Sequence, residues 1–386
     1  MSNNQPVIFV HGILGFGPEE LGPLRYWGSA FQIPSPLPRY EASLGPLSSA
    51  HDRACELAAQ LKGTVVDYGE DHATEAGHAR FGRDFSGRGF VPDWDEAHPV
   101  HLVGHSLGAP TIRCLQHLLE LDFWRWGSNH RWVSSISSIS GSLNGSTATY
   151  FFGVDETTGR LPKESGIVPI LAAIEVAAYA TGGILDAIYD LDLSHWGFVR
   201  GSDESLFDFF MRLSVSGFFW GTDNAAYTLS LQGAYEDNEK FRTFADTYYF
   251  AYVTEQSTQS WLTGWLYPEP LMSPALLAVS TYIGRKRWHP APIPTAGFGS
   301  SDWWENDGLV STYSQIYPHT SGSHAVGGEI SAETPVTHFE PGQWYTQWVR
   351  KMDHLDICIS PQLSQIGRQK RFYMTLYYRL AALELQ

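Results

Sequence analysis

Gly104-His105-Ser106-Leu107-Gly108 follows directly on the apolar run Val100-His101-Leu102-Val103. A strand that turns sharply into a helix at G-x-S-x-G pushes its serine into a strained, outward position. Glycines flank it because a Cβ on either side would strike the neighbouring strand or helix. Such a serine is a nucleophile, and the amide of the next residue, Leu107, is placed to hold an oxyanion. Thr111-Ile112-Arg113-Cys114-Leu115-Gln116-His117-Leu118-Leu119-Glu120 continues with helical periodicity, which supports that setting. The pentapeptide by itself fits a structural turn equally well. A second oxyanion amide is expected after an earlier strand, behind a His-Gly pair. Pro6-Val7-Ile8-Phe9-Val10-His11-Gly12-Ile13-Leu14-Gly15 supplies that pattern and nominates the Ile13 amide.

An acid and a histidine must follow in the order Ser, Asp/Glu, His. Trp304-Glu305-Asn306-Asp307-Gly308-Leu309-Val310-Ser311 offers Asp307 in a turn before an apolar stretch. Met352-Asp353-His354-Leu355-Asp356 offers His354 late in the chain, but His319, His324 and His338 also follow Asp307, and position does not choose among the four. A separate polar stretch holds His72 and His78, six residues apart, with Asp52 upstream. Two histidines and two carboxylates make a tetrahedral nitrogen/oxygen zinc shell. The spacing alone fits solvated loop histidines as well.

The elements that must carry these residues are those of one large α/β domain, although 386 residues would also permit two. No low-complexity linker, internal repeat or long charge run divides the chain. Gln32-Ile33-Pro34-Ser35-Pro36-Leu37-Pro38 and His289-Pro290-Ala291-Pro292-Ile293-Pro294 read as irregular loops. A net charge of −16 disfavours nucleic acid and strongly anionic membranes as partners. The apolar stretch from Ile167 to Tyr189 is long enough to resemble a membrane span, but Glu175, Asp186, Gly182-Gly183 and the scarcity of flanking basic residues argue against a stable one. A buried helix or a mobile cover are the alternatives. Residues 1–10 hold no basic n-region, apolar h-region or cleavage site, so the expectation is a leaderless intracellular enzyme or the mature form of a secreted one. Cys55, Cys114 and Cys358 are odd in number and widely spaced, which indicates no disulfide framework.

The chain resembles the zinc-containing thermoalkalophilic bacterial lipases (family I.5). The resemblance runs from about Pro6 to Leu383 and is carried by Tyr26-Trp27-Gly28, Gly45-Pro46-Leu47-Ser48-Ser49, Asp52-Arg53-Ala54-Cys55-Glu56, Asp67-Tyr68-Gly69, Gly77-His78-Ala79-Arg80-Phe81-Gly82-Arg83, Glu305-Asn306-Asp307-Gly308 and Asp353-His354-Leu355. It implies an α/β-hydrolase fold: a mostly parallel central sheet flanked by helices, with zinc-binding insertions and a helical lid. Residues 1–386 would form a single domain, with a zinc-linked subdomain at about 45–95 and 210–300 and the lid region at about 145–205. The resemblance makes Ser106 the nucleophile, His354 the general base and Asp307 its orienting acid. It also makes Asp52, His72, His78 and Asp223 the ligands of a structural zinc.

Two departures from the family stand out. The family binds calcium near the catalytic histidine through two carboxylates. Asp356 stands for the first, but Ser360 before Pro361 stands where the second is expected, which leaves at most a weak calcium site. Asp356 alternatively serves only to hydrogen-bond the histidine loop. Gly141-Ser142-Leu143-Asn144-Gly145-Ser146 also replaces a ring-bearing family loop beside the acyl site, so acyl-chain preference is expected to differ. The expected activity is serine-dependent hydrolysis of carboxylic esters, with long-chain acylglycerols at an oil–water interface as the implied substrate. A short-chain or polyester esterase, or an acyltransferase, would use the same acyl-enzyme. A catalytically silent, lipid-binding hydrolase fold is the reading from another class.

Overall fold

A computed structural model describes residues 3–18, 20, 21, 24–163, 191–289, 291–294, 299–319, 325–359 and 362–384. Short β-rich runs alternate with helices, and their hydrophobic periodicity decides which face each presents. In β1 (Val7–Val10) every residue is buried, but Val7 and Phe9 point into one hydrophobic layer while Ile8 and Val10 point into the other. β5 (Val100–His105) does the same with Val103 against Val100 and Leu102. Strands buried on both faces belong at the centre of a parallel sheet, and that is where they lie.

Five further strands complete the sheet: β2 (Arg39–Glu41), β6 (Val133–Ile139), β7 (Tyr248–Glu255), β10 (Ala325–Glu329) and β11 (Gln343–Arg350). Their order is β10-β11-β7-β6-β5-β1-β2, and all six pairings are parallel. This is the α/β-hydrolase arrangement that the resemblance implies. Helices α1 (Ala50–Lys62) and α3 (Gly108–Glu120) cover one face, packing Leu57, Leu61, Ile112 and Leu115 on Ile8, Leu102 and Ile136. The C-terminal helix Ile366–Ala382 covers the other, with Tyr373, Leu376 and Tyr377 against Phe9 and Tyr252. Two antiparallel pairs stand apart: β3 (Val65–Asp67) with β4 (Phe81–Asp84), and β8 (Ser257–Gln259) with β9 (Leu266–Pro268).

Register places the site. Val10 lies beside Gly104, His105 beside Ile139, and Ile139 beside Tyr252. The loops leaving the carboxyl ends of β1, β5, β6 and β7 therefore gather at one edge, where open parallel sheets put their ligands. The stretch from Ile167 to Tyr189, the core of the expected lid, lies outside the described residues, as do His324, Ser360 and Pro361. Among the described residues no helix is long and apolar enough to cross a membrane.

Candidate active site and metal cluster

The elbow between β5 and α3 is built as its glycines require. Ser106 has a φ of 55°, a conformation that L-residues rarely adopt, and its N–H donates to the Ile139 carbonyl at 3.1 Å. A Cβ on Gly104 would lie 2.4 Å from the Gly108 carbonyl oxygen, and one on Gly108 would lie 2.2 Å from that of Val10. Neither site has room for any side chain.

The loop after β1 is held just as tightly. His11 Nε2 accepts the Leu44 N–H at 3.1 Å, so the ring proton sits on Nδ1 and is donated to the Gly12 carbonyl at 2.9 Å. In a trans peptide the carbonyl and the following N–H point opposite ways, so this bond also sets the direction of the Ile13 N–H. Burial, reinforced by the neighbouring Arg53, holds His11 well below its ordinary pKa and keeps that tautomer neutral. Arg53 in turn donates to the carbonyls of Gly45 and His11. Gly12 rests against the elbow, where a Cβ would come within 2.8 Å of Ser106 Cβ. Among the described residues, neither the Ile13 nor the Leu107 amide has a hydrogen-bond acceptor within the protein.

Opposite the elbow, His354 Nδ1 lies 2.8 Å from Asp307 Oδ2, and the His354 N–H donates to the Asp307 carbonyl at 2.9 Å. Both side chains are buried. The Asp307 carboxylate is fully engaged. Oδ1 accepts the amides of Leu309 and Val310 at 3.1 and 2.8 Å, and Oδ2 accepts Thr254 Oγ1 at 2.7 Å and Gln315 Nε2 at 3.3 Å. A buried carboxylate with this many donors is held in one orientation. The imidazole of His354 lies 4.6 Å, centroid to centroid, from that of His105, the residue preceding Ser106. The two rival histidines among the described residues are elsewhere. His319 stacks on Tyr313 and donates to its carbonyl, and His338 packs beside Phe339 and Tyr345.

The loop Gly141–Ser146 borders the elbow, since the Ser142 N–H reaches the Ser106 carbonyl at 3.4 Å. Asn144 fixes it from behind, donating to the carbonyls of Ser314 and Tyr317. On the far side of His354, Asp356 Oδ1 accepts the Gln362 N–H while Oδ2 is buried without a partner. Burial and the adjacent Asp353 push the Asp356 carboxyl up to about 7. Asp353 spends its own oxygens on the amides of Ser273, Leu355 and Asp356. Among the described residues this pocket offers a cation one unpartnered carboxylate oxygen, that of Asp356.

The residues 52, 72, 78 and 223, far apart in sequence, meet in a single cluster. Asp52 comes from α1, capped by Ser49, and His72 from a short helix, α2 (Glu70–Ala76), bounded by Gly69 and Gly77 at positive φ. His72 Nε2 lies 3.2 Å from Asp52 Oδ1 and 3.4 Å from Asp223 Oδ2, and His78 Nε2 lies 3.7 and 3.2 Å from the same atoms. A tetrahedron with metal–ligand bonds of about 2.0–2.1 Å has edges of about 3.3–3.4 Å, close to these four nitrogen–oxygen separations. His78 Nε2 and Asp223 Oδ2 are buried without hydrogen-bond partners, and His78 Nδ1 is occupied by the Ala79 carbonyl, which leaves Nε2 as the free lone pair. The donor set fits the metal. Burial alone would lower His72, but with only protons between them the two carboxylates raise it to about 10.

Sequence reasoning missed a fifth member. His195 Nε2 lies 3.1 Å from Asp52 Oδ2, the oxygen turned away from the cluster, and its ring stacks on Tyr68 at 4.4 Å. A buried carboxylate that gives one oxygen to a metal needs a partner for the other, but only the fold brings a residue 143 positions away to supply it.

The family model for the lipase-like C-terminal domain matches residues 3–382. The chain belongs to this lipase-like family. It is 29% identical to Lipase 2 of Staphylococcus aureus over 382 residues, covering 92% of this chain and 50% of that protein. This lipase-like chain thus spans about half the length of the curated relatives it matches. Two solved structures cover nearly all of it. EstA from Clostridium botulinum superposes with a TM-score of 0.81 at 29% identity, covering 100% of this chain and 89% of that one. Staphylococcus hyicus lipase superposes with a TM-score of 0.72 at 27% identity, covering 98% and 96%.

Proposed function

We propose that this lipase-like chain is a serine carboxylic-ester hydrolase, acting on acylglycerols through an acyl-enzyme. The observation that carries the proposal is the buried Asp307–His354 pair, 2.8 Å apart, at the same sheet edge as a serine held at positive φ. In this reading His354 Nε2 takes the Ser106 proton as Oγ attacks the ester carbonyl, and Asp307 keeps the other proton on Nδ1 and stabilises the imidazolium. The amides of Ile13 and Leu107 receive the negative charge of the tetrahedral intermediate. His354 then protonates the leaving alcohol and activates water for deacylation.

Zinc enters this reading as a structural ion held by Asp52, His72, His78 and Asp223, where it supplies a closed, charge-neutralising shell and no step at the ester. For calcium, the described residues supply one unpartnered carboxylate oxygen, on Asp356. The lid proposed for about 145–205 would cover the site in water and withdraw at an oil surface. A short-chain preference is the specific rival, because the small residues of Gly141–Ser146 stand beside Ser106.

The test is hydrolysis of p-nitrophenyl esters from acetate to palmitate and of emulsified triolein, with Ser106→Ala alongside. Turnover of long chains and triolein that vanishes in the variant supports the lipase reading. Turnover restricted to short esters replaces it with the esterase. No Ser106-dependent turnover refutes both and favours the silent, lipid-binding fold.

A further inference from the structure

Tyr26 and His105 occupy the space between the oxyanion loop and the catalytic histidine, and every polar atom in that space has a defined direction. Tyr26 Oη accepts the Gly12 N–H at 2.8 Å and lies 2.6 Å from His105 Nδ1. The main-chain His354 carbonyl beside His105 Nε2 can only accept, so a neutral ring carries its proton on Nε2 and Nδ1 accepts the Tyr26 hydroxyl. His105 Nε2 donates to that carbonyl at 3.2 Å. Burial holds His105 well below its ordinary pKa, so the ring is neutral and has one tautomer. The Cys358 thiol closes the side, with Sγ 3.7 Å from the same carbonyl and 3.6 Å from His105 Nε2. Tyr26 and His105 are both buried, so water does not compete for these bonds.

We propose that Tyr26 and His105 are positioning residues forming one directional relay, Gly12 N–H to Tyr26 Oη–H to His105 Nδ1 and His105 Nε2–H to the His354 carbonyl, which sets the spacing between the oxyanion loop and the general base. The relay touches no reacting atom. It acts on the His11–Gly12 peptide, the one before the Ile13 amide, at one end and on the main chain of His354 at the other. The neutrality of His105 has its own function, because a charged ring 4.6 Å from His354 would oppose the imidazolium formed during attack. The side chain of the second residue in the elbow pentapeptide thus serves the loops on either side of the elbow and not the elbow itself.

The proposal rests on the hydrolase reading, and the experiment separates the two. Tyr26→Phe, His105→Gln, His105→Leu and the double variant Tyr26→Phe/His105→Leu are assayed on soluble p-nitrophenyl butyrate, with active enzyme counted by titration with an organophosphorus ester. Glutamine keeps a donor near the Nε2 position, and leucine keeps none. Tyr26→Phe and His105→Leu are each expected to lower kcat about tenfold, with KM within about twofold. His105→Gln should recover part of the loss. The double variant should lose little more than the worse single variant, because both break one chain of bonds. Fully additive losses would overturn the relay, as would losses that appear only in the titrated amount of folded enzyme. Wild type without turnover would instead remove the hydrolase reading beneath it.

Discussion

Gly12→Ala is a one-carbon perturbation aimed at the junction of the loop after β1 and the elbow at Ser106. Gly12 does not have a positive φ, so alanine is tolerated by the backbone and only space is at issue. The added Cβ would fall 2.8 Å from Ser106 Cβ and 2.9 Å from Tyr26 Oη. Ordinary carbon–carbon contact needs about 3.6 Å, so the loop must retreat by about 0.8 Å. An oxyanion bond from the Ile13 amide of about 2.9 Å would lengthen to about 3.7 Å, beyond the range of a hydrogen bond. Losing one oxyanion donor lowers kcat by about 10²- to 10³-fold, or about 3–4 kcal/mol of barrier. KM should change little, because the lost interaction belongs to the transition state. The assay is steady-state hydrolysis of p-nitrophenyl butyrate, normalised by titrated active sites, with thermal melting as the control for folding. A folded Gly12→Ala enzyme with kcat within threefold of wild type would show that the Ile13 amide is not an oxyanion donor.

Three further outcomes follow from the geometry. Asp307→Asn should lower kcat about 10⁴-fold by favouring the wrong His354 tautomer, while Thr254→Val, which removes one of the hydrogen bonds to Asp307 Oδ2, should cost about tenfold; equal effects would mean that the carboxylate's charge is not what matters. Because metal-free His72 titrates near 10, zinc must displace at least one proton at neutral pH, so its apparent affinity, measured by chelator competition, should rise about tenfold per pH unit from 7 to 9; a flat profile would sink the assignment of His72 as a ligand. Asp356 has a folded-state value near 7 against an ordinary 3.8, so the stability linked to its protonated form is complete below pH 4 and is lost as pH rises through 7. Asp356→Asn should therefore gain in melting temperature over wild type as pH increases from 4 to 8. A constant difference, or a calcium-induced rise confined to wild type, would refute that account.

The sequence made legible what short-range chemistry encodes. The elbow glycines, the His-Gly pair and the turn around Asp307 each declare themselves within a few residues, because backbone constraints act locally. Partner choice is another matter. Nothing near His354 distinguished it from His319 or His338 except a family resemblance, and the structure separates them by the company they keep: Asp307 for the first, Tyr313 and Tyr345 for the others. Tyr26, Thr254, Gln315 and His195 were invisible as site residues because their contacts with His105, Asp307 and Asp52 span from 8 to 143 positions. Only the resemblance joins Asp52, His72, His78 and Asp223 as a zinc set, since their spacing alone leaves solvated histidines open. In the structure the four side chains converge into a group able to hold a metal ion, with His78 Nε2 and Asp223 Oδ2 buried and without hydrogen-bond partners.

The wholly parallel sheet has a consequence for how activity is acquired. Val7 pairs with His101, Ser135 with Tyr248 and Tyr249 with Trp344, so three of the six pairings join residues about a hundred positions apart. Contacts of that separation require large loops to close before they yield any stabilisation, which slows folding and populates intermediates with open strand edges. Ser106 follows β5, while Asp307 and His354 are in place only once β7 and β11 have docked. Hydrolytic activity should thus return with the slowest refolding phase, after most helical signal has recovered, and the catalytic rate becomes a direct clock for closure of the topology.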